Sequence, residues 1–284
     1  MSAVLENRSE PAAEVAVQAD LNYLNSAVQR PLSYTFEPPE GTPWTTGDLV
    51  PTRVVIHDAR PGVASGELSL DRSGFTKLAH RSALHDFSDD AAIRAIYYPE
   101  SEALIRQATG AEKVVVFDHT LRDSAKGSRA TAALREPVRR VHNDQTATSG
   151  PRRVRDHLPA DEAEARLGHR FAIINLWRPL ARVEQFPLAL CDARSISPRD
   201  LVPSDLVYRE KTGETYSFLP NPEHRWYWFP RLGPDEPLLL KIYDSVETGV
   251  ARLTAHTAFE LPGGGSSPRR SIELRALVFW PPGA

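Results

Sequence analysis

The sequence predicts a mainly β fold with flanking helices, of the jelly-roll or related barrel class. Two observations lead to this prediction. The 284 residues include 24 prolines and 16 glycines spread along the whole chain, which is typical of many short elements joined by turns. In the second half of the chain, short strand-like segments follow one another with few helical segments between them.

The first half of the chain is predicted to precede and flank the barrel. Residues 1–20 are polar and rich in Ala and Glu, which indicates a short helix or a loose N-terminal arm. A single domain is predicted over residues 21–284, with its barrel mainly in residues 135–284. Strands are predicted at 52–57 and 113–118, a hairpin region at 62–69, a helical zone at 89–108 interrupted at Tyr98-Pro99, and an exposed loop at 120–133.

The second half is predicted to form the barrel itself. A strand at 138–142 leads into a polar loop at 144–155, which we expect to cover a pocket as a lid. Residues 159–167 predict a helix, because proline and acidic residues occupy its first turn. Six further strands are predicted, at 171–177, 188–192, 216–218, 225–229, 238–243 and 271–279.

Charge and cysteine content narrow the class of protein. The net charge of −3 argues against a nucleic-acid partner, which normally meets a basic face. The sequence has no run of eighteen apolar residues, so it predicts no transmembrane helix. Its N-terminus carries acidic residues and does not resemble a secretory signal. The single Cys191 excludes an internal disulfide framework and a thiolate metal cluster. We therefore expect a cytoplasmic protein that acts on a small molecule, without nucleic-acid or membrane partners and with its oligomeric state open.

One short motif supplies two candidate metal ligands. Because residues i and i+2 of a strand point to the same side, His142 and Asp144 of the triplet His-Asn-Asp can bind one ion. His256 lies much further along the chain, and Arg269-x-Ser271 follows it. Two imidazoles and one carboxylate on one face of Fe(II) leave the opposite face open for a cosubstrate and dioxygen. The order of these residues predicts an Fe(II)- and 2-oxoglutarate-dependent oxygenase, with Arg269 and Ser271 binding the distal carboxylate.

Each part of this pattern also has an ordinary explanation. A lone His-x-Asp triplet occurs by chance, a single histidine is often structural, and Arg-x-Ser alone carries no information. His224 is a rival third ligand, since it also lies between His142 and Arg269. We prefer His256, because a ligand and the carboxylate-binding arginine should lie on neighbouring strands. Arg275, on the same predicted strand face as Arg269, is the reserve anchor for the cosubstrate.

Further residues are candidates for contacts with the cosubstrate or the substrate. Lys241 and Tyr243 share a predicted strand face and are assigned to the cosubstrate, with a solvated Lys and a core Tyr as equally good explanations. Asn175 and Trp177 also share a face and follow the metal-binding strand, so we expect them to line the substrate pocket. Arg178 is a candidate for binding a substrate carboxylate, although a structural ion pair explains it equally well.

Roughly residues 135–280 resemble a known family. The likeness lies in the blocks 141–144 (VHND), 174–180 (INLWRPL), 191–195 (CDARS), 224–230 (HRWYWFP), 240–245 (LKIYDS), 256–259 (HTAF) and 269–279 (RRSIELRALVF). These blocks resemble the cephalosporin methoxylase P8-chain-like oxygenases and their fungal hydroxylase/desaturase relatives, including gibberellin-desaturase-like proteins. That family often has Glu between the Arg and the Ser of the last block, where this chain has Arg270.

The resemblance implies a double-stranded β-helix of the cupin-like jelly-roll class. It also implies Fe(II), 2-oxoglutarate and dioxygen, and the hydroxylation, desaturation or oxidative cyclisation of a small secondary metabolite. Two alternatives stay open at this point. One is a non-haem iron enzyme of the same fold that does not use 2-oxoglutarate and so does not need Arg269. The other is a catalytically silent barrel that binds a small molecule, which the intact His-Asp-His pattern disfavours.

Overall fold

The computed structural model describes residues 16–125 and 134–283, and the strands of these residues form two sheets. The strands in chain order are β1 (Ala16–Leu24), β2 (Leu32–Tyr34), β3 (Leu49–Asp58), β4 (Phe75–Lys77), β5 (Lys113–Asp123), β6 (Leu134–Arg135), β7 (His142–Asn143), β8 (Phe171–Pro179), β9 (Leu188–Cys191), β10 (Leu201–Val207), β11 (Thr212–Phe218), β12 (Trp226–Trp228), β13 (Leu238–Asp244), β14 (His256–Ala258) and β15 (Arg270–Phe279). The larger sheet has the order β1-β3-β12-β9-β14-β7-β11-β10-β2, and the smaller has the order β4-β13-β8-β15-β5-β6.

The helices flank the sheets. They are α1 (Arg60–Ala64), α2 (Asp90–Ala92), α3 (Tyr98–Thr109), α4 (Ser149–His157) and α5 (Ala160–Leu167), with a π-helical turn at Ile93–Tyr97 and short 3-10 turns at Ala193–Ser195 and Pro198–Asp200. The π turn joins α2 to α3 immediately before Pro99, a residue that has no N–H to donate within a helix. Helix α3 ends at Gly110, which adopts the left-handed conformation that glycine accepts without strain.

The two sheets enclose the main core. Side chains from the larger sheet, such as Leu188 and Leu190, pack with Phe171, Leu240 and Leu277 of the smaller sheet. A second core lies on the opposite face of the smaller sheet, where Ile93, Tyr97 and Ile105 of the helical segment cover β8, β15 and β5. The mainly β, jelly-roll prediction is confirmed.

Strand β8 shows why some strands carry no alternating pattern. All nine of its residues are buried, because one face packs inside the barrel and the other packs against the helices. Asn175 and Trp177 point inward, whereas Ile174, Leu176 and Arg178 lie on the face that the helices cover. This separation decides which polar residues of β8 can reach the functional site.

Several predicted elements differ from the structure. The predicted hairpin region at 62–69 overlaps α1, which begins beside Pro61, a residue favoured in the first helical turn. The predicted polar loop at 144–155 becomes helix α4 from Ser149 onward. The predicted exposed loop at 120–133 belongs to β5 as far as Asp123, because its polar side chains face the interior of the barrel; residues 126–133 lie outside the described residues.

The N-terminal arm predicted for residues 1–20 overlaps β1, which begins at Ala16 and pairs along its whole length with β3. Residues 1–15 lie outside the described residues. Strands β1, β2, β4, β6, β10 and β14 were not predicted; most of them are three residues or shorter, and β10 contains Pro203. Across the described ranges, no helix is long and apolar enough to cross a bilayer.

Candidate metal centre

Two histidines face each other at the centre of the larger sheet. His142 of β7 lies directly opposite His256 of β14 in an antiparallel pair, and their ring centroids are 4.3 Å apart. Asp144 follows β7 on the same side as His142, with its Oδ1 3.5 Å from His142 Nε2. One ligand atom from each of the three side chains lies within 4.8 Å of the other two. The three residues can therefore bind one metal ion.

His142 is held in the form that binds metals. Its Nδ1 donates a hydrogen bond to the carbonyl of Arg140 at 2.8 Å, so the lone pair lies on Nε2, the atom that faces Asp144. Burial, together with the nearby charge of His256, holds the pKa of His142 well below its usual value. A neutral imidazole with its other nitrogen hydrogen-bonded to a carbonyl is a typical metal ligand.

Asp144 is fixed by two donors on the opposite sheet. Its Oδ2 accepts hydrogen bonds from Asn175 Nδ2 at 2.8 Å and from Arg275 Nε at 3.1 Å, which leaves Oδ1 facing His142. Burial opposes ionisation of this carboxyl, but the charge of Arg275, the neighbouring imidazoles and the hydrogen bond from Asn175 together outweigh burial and lower its pKa below the usual value. Asp144 is therefore ionised and oriented for a cation.

A second buried carboxylate supports these two donors. Glu273 Oε1 accepts from Asn175 Nδ2 at 3.2 Å, and Glu273 Oε2 accepts from Arg275 Nη2 at 3.4 Å. Arg122 Nη2 lies 3.7 Å from the same Oε2. Because Glu273 contacts both partners of Asp144, it positions them without reaching the metal ligands itself.

A small cavity is lined by both histidines of the triad and by Arg269. Its lining comprises Arg122, Val138, His142, Trp177, Leu188, His256, Ala258, Arg269 and Glu273. The Arg269 guanidinium is buried 5.5 Å from the centre of the Trp177 ring, and its Nη1 donates to the carbonyl of Phe186 at 2.6 Å. Phe186 has a φ of 45°, a left-handed backbone conformation that costs energy in a non-glycine residue and that aims this carbonyl at Arg269.

Three buried polar atoms of the triad and of the segment from Arg269 to Ser271 lack partners among the described residues. They are Arg269 Nε, Ser271 Oγ and His256 Nδ1. Burial and the charge of Arg122 lower the pKa of Arg269 to about 9, and the opposing charge of Glu273 offsets this shift only in part. Buried polar atoms are nearly always hydrogen-bonded, so the Arg269 and Ser271 donors fit an anionic ligand that binds beside the metal, whereas His256 belongs to the triad itself.

The structure brings most of the predicted site residues together. His142, Asp144 and His256 form the triad, Arg269 and Trp177 line the small cavity, and Ser271 follows Arg269 on β15. Asn175 and Arg275 contact Asp144, so Arg275 lies at the metal-binding carboxylate and not beside Arg269.

His256 is in the triad, but the expectation that it lies on a strand next to that of Arg269 was wrong. His256 lies in the larger sheet, whereas Arg269 precedes β15 of the smaller sheet, so the two face each other across the barrel and do not lie on neighbouring strands. The rival His224 lies elsewhere in the core. Its two ring nitrogens contact the Tyr23 hydroxyl at 2.8 Å and Asp200 Oδ2 at 3.0 Å.

Three predicted residues do not reach the triad. Lys241 and Tyr243 were expected to share a strand face, but a β-bulge between them pairs Lys241 with Ile174 and Tyr243 with Ile173, which places them on opposite faces. Lys241 is fully buried against Asp71 and Asp244, and Tyr243 lines a separate cavity. Arg178 donates to Tyr97, His80 and Pro234 on the helix-covered face.

Two arginines of the site were missed in the sequence. Arg122 lines both the small cavity and a larger one, and Arg140 lines the larger one beside His142. Arg122 lies opposite Ser271 in the pairing of β5 with β15, which carries it into the barrel. No apolar alternation marks the C-terminal end of β5, so the sequence offered no signal for it.

The fold and the site together define the class of non-haem iron oxygenases that use 2-oxoglutarate, and comparison with known proteins agrees. A family model described as "Oxidoreductase/YMDC permease-like domain" matches residues 21–279. The hydroxylase/desaturase efuI of Hormonema carpetanum is 35% identical over 93% of this chain and 95% of its own length. The Fe(II)/2-oxoglutarate-dependent dioxygenase nvfI of Aspergillus novofumigatus is 31% identical over 90% of this chain and 93% of its own.

A solved structure extends the likeness to three dimensions. The iron and alpha-ketoglutarate-dependent endoperoxidase NvfI superposes with a TM-score of 0.83 at 29% identity, covering 93% of this chain and 98% of that one. The chain belongs to the family of fungal hydroxylase/desaturases and Fe(II)/2-oxoglutarate-dependent dioxygenases. The predicted enzyme class, its iron and its 2-oxoglutarate cosubstrate are confirmed.

Proposed function

We propose that His142, Asp144 and His256 bind Fe(II), and that Arg269 and Ser271 bind the distal carboxylate of 2-oxoglutarate. One observation carries this assignment. Arg269, whose Nε has no partner among the described residues, lines the small cavity together with His142 and His256, and Ser271, whose Oγ also has none, lies two residues further along the chain. A carboxylate there would satisfy both donors and neutralise the buried guanidinium.

When bound, Fe(II), 2-oxoglutarate and dioxygen supply the oxidising equivalents for attack on a carbon centre of the substrate. The protein's own residues supply orientation and charge. Asn175 and Arg275 hold Asp144 ionised with Oδ1 turned towards His142. Trp177 and the Phe186 carbonyl hold Arg269 against the small cavity, which fixes the guanidinium that a dicarboxylate would meet there.

The substrate site that we propose is a larger cavity of about 690 Å³ that reaches His142, Asp144 and Arg275. Its volume is in the range that accommodates a drug-sized metabolite. We therefore propose hydroxylation, desaturation or oxidative cyclisation of one small secondary metabolite in this cavity. Within the family, we propose that the chain is most like the cephalosporin methoxylase P8-chain-like members, on the strength of the sequence blocks between residues 135 and 280.

We also propose a cytoplasmic enzyme that works as one domain, without a nucleic-acid partner. The single cysteine is buried and free, which suits a reducing compartment. Strands of both sheets come from the whole described length, which supports one domain. The net charge of −3 supports the absence of a nucleic-acid partner.

Succinate release in the presence of Fe(II) and 2-oxoglutarate tests this proposal. We expect slow succinate formation from the purified protein alone, and faster formation when an extract containing the substrate is added. A protein that binds Fe(II) but never forms succinate would favour the iron enzyme that does not use 2-oxoglutarate. A protein that binds no Fe(II) would favour the catalytically silent barrel.

A further inference from the structure

The cavity of about 690 Å³ is lined by more arginines than the metal centre uses. Its lining includes the arginines Arg94, Arg122, Arg135, Arg140, Arg153 and Arg275. Some of these are needed to balance acidic residues of the same cavity. An arginine of the cavity is available to a ligand only if no carboxylate of the protein already pairs with it.

Five carboxylates line the cavity, and four of them already have cationic partners, whereas the exposed Glu136 forms no ion pair within the described residues. Arg94 pairs with Asp90 at 2.7 Å, Arg275 with Asp118 at 3.0 Å and with Asp144 at 3.1 Å, and Arg30 with Glu214 at 2.9 Å. Arg135, Arg140 and Arg153 form no ion pair with any of these four in the described part of the chain. Arg122 already lies 3.7 Å from Glu273, so Arg135, Arg140 and Arg153 are the cavity arginines that pair with none of its lining carboxylates.

Arg140 is the one of these three that lies beside the metal ligands. It is half-buried, precedes His142 by two residues and lines the cavity together with His142 and Asp144. Its Nη1 donates to Ser33 Oγ at 3.0 Å, and no carboxylate of the described residues forms an ion pair with it. Arg135 is exposed, and Arg153 on α4 lies 3.5 Å from Asp156.

We propose that the substrate carries a carboxylate that binds Arg140, an inference that rests on the proposed oxygenase function. A guanidinium offers a planar pair of donors that matches a carboxylate. Because Arg140 and His142 are two residues apart and line the same cavity, the anionic group binds in the part of the cavity that adjoins the metal ligands. The oxidised carbon then lies close to the acid group along the substrate skeleton.

A matched pair of fluorescent probes tests the charge preference without knowledge of the substrate. 1-Pyrenebutyrate and its methyl ester differ in charge but have nearly the same size and apolar surface. Binding is measured by fluorescence titration under nitrogen, with saturating Fe(II) and 2-oxoglutarate so that the Arg269 site is filled. We expect the acid to bind at least about tenfold more tightly than the ester, as a charged hydrogen bond predicts.

Two variants assign that preference to one residue. Arg140→Met should remove it, so that acid and ester bind alike. Arg139→Met is the matched control, because the neighbouring Arg139 is half exposed and pairs with Glu260 at 3.0 Å, and it should keep the full preference. Iron content checks that each variant is folded; if Arg140→Met loses iron, Arg140→Gln provides the same uncharged comparison and can still donate to Ser33.

Several results would overturn the inference. They are equal affinity of the wild-type protein for acid and ester, binding of neither probe, survival of the preference in Arg140→Met, or its equal loss in Arg139→Met. Succinate formation in the absence of probe is measured separately. Succinate without charge preference defeats only the carboxylate inference, whereas charge preference without succinate defeats the proposed function.

Discussion

Arg178 and Arg269 are both arginines with 2% of their surface exposed, yet their guanidinium groups differ greatly in how many hydrogen bonds they make. Arg178 donates from Nε to the Tyr97 hydroxyl at 2.9 Å, from Nη1 to the carbonyls of His80 and Pro234 at 2.9 and 2.6 Å, and from Nη2 to His80 Nδ1 at 2.7 Å. The Arg269 side chain makes one such bond within the described residues, to Phe186, and its Nε has none.

The difference separates a structural arginine from a ligand-binding one. A buried donor left without a partner costs about 1–3 kcal/mol, so the fold retains Arg269 at a cost that a bound anion would remove. The two buried histidines differ in the same way. Both ring nitrogens of His224 have protein partners, whereas Nδ1 of His256 has none among the described residues.

The comparison of His256 with His224 gives the largest expected effect, which is on iron binding and activity. We expect His256→Ala to abolish both iron retention and succinate formation, because it removes one of three ligands. His224→Ala should keep iron and lose stability, by about 1–3 kcal/mol for each buried partner left unpaired. Iron content by metal analysis and chemical denaturation measure the two outcomes. Iron loss in His224→Ala with iron retained in His256→Ala would reverse the assignment of the third ligand.

The comparison of Arg178 with Arg269 predicts that substitution of Arg178 strongly lowers the stability of the protein. Arg178→Met should lower the free energy of unfolding by about 1–3 kcal/mol for each buried acceptor that it strands, while the affinity of the folded protein for 2-oxoglutarate stays the same. Arg182→Met, an exposed neighbour, is the control and should change neither quantity. Urea denaturation and calorimetric titration provide the readings. A weaker affinity for 2-oxoglutarate in Arg178→Met would place that arginine in the cosubstrate site.

An intermediate effect is expected at Asn175, which orients Asp144 without touching the metal. Asn175→Ala should weaken Fe(II) affinity by roughly 10–100-fold, the usual consequence of losing a partner of a metal ligand. The readout is Fe(II) affinity under nitrogen by competition with a chelator. Thr257→Ala, at a buried polar residue of β14 next to His256, is the control. An unchanged affinity in Asn175→Ala would mean that Arg275 alone positions the carboxylate.

The smallest effect is expected at Ser271. Its hydroxyl has no partner among the described residues, so Ser271→Ala should leave the stability of the free protein nearly unchanged. If the hydroxyl meets 2-oxoglutarate, its loss should raise the KM for 2-oxoglutarate by about fivefold, which corresponds to one ordinary hydrogen bond of about 1 kcal/mol. Steady-state kinetics with varied 2-oxoglutarate measure this change. A clear loss of stability with no change in KM would show that the hydroxyl has a purely structural role.

Much of the site could be predicted because its residue types and order are distinctive in sequence. His142 and Asp144 are two residues apart in sequence and share a strand side, so local periodicity sufficed to pair them. His256 and Arg269 could be named from their order along the chain, but not placed, because strand order in the two sheets depends on long-range pairing. His256 and Arg269 therefore belong to different sheets, and not to neighbouring strands as expected.

Other features had no local signal. The bulge between Lys241 and Tyr243 reverses which way the second side chain points, and nothing in the sequence around Ile242 marks it. Arg178 lies one residue from Trp177 on a fully buried strand, so apolar alternation could not tell the two faces apart. Polar strand ends such as 119–123 resemble loops in sequence, because the residues that line a polar cavity are themselves polar.

The most direct measurement of the central claim is calorimetric titration of 2-oxoglutarate into the Fe(II)-loaded protein under nitrogen. Because the bond lost is charge-assisted, we predict that Arg269→Met raises the Kd at least about tenfold, while the exposed neighbour variant Arg270→Met leaves it unchanged. Two results would contradict the claim that Arg269, with its unpaired Nε, forms the cosubstrate site. One is an unchanged Kd for 2-oxoglutarate in Arg269→Met, and the other is a rise in this Kd confined to Arg275→Met with iron retained.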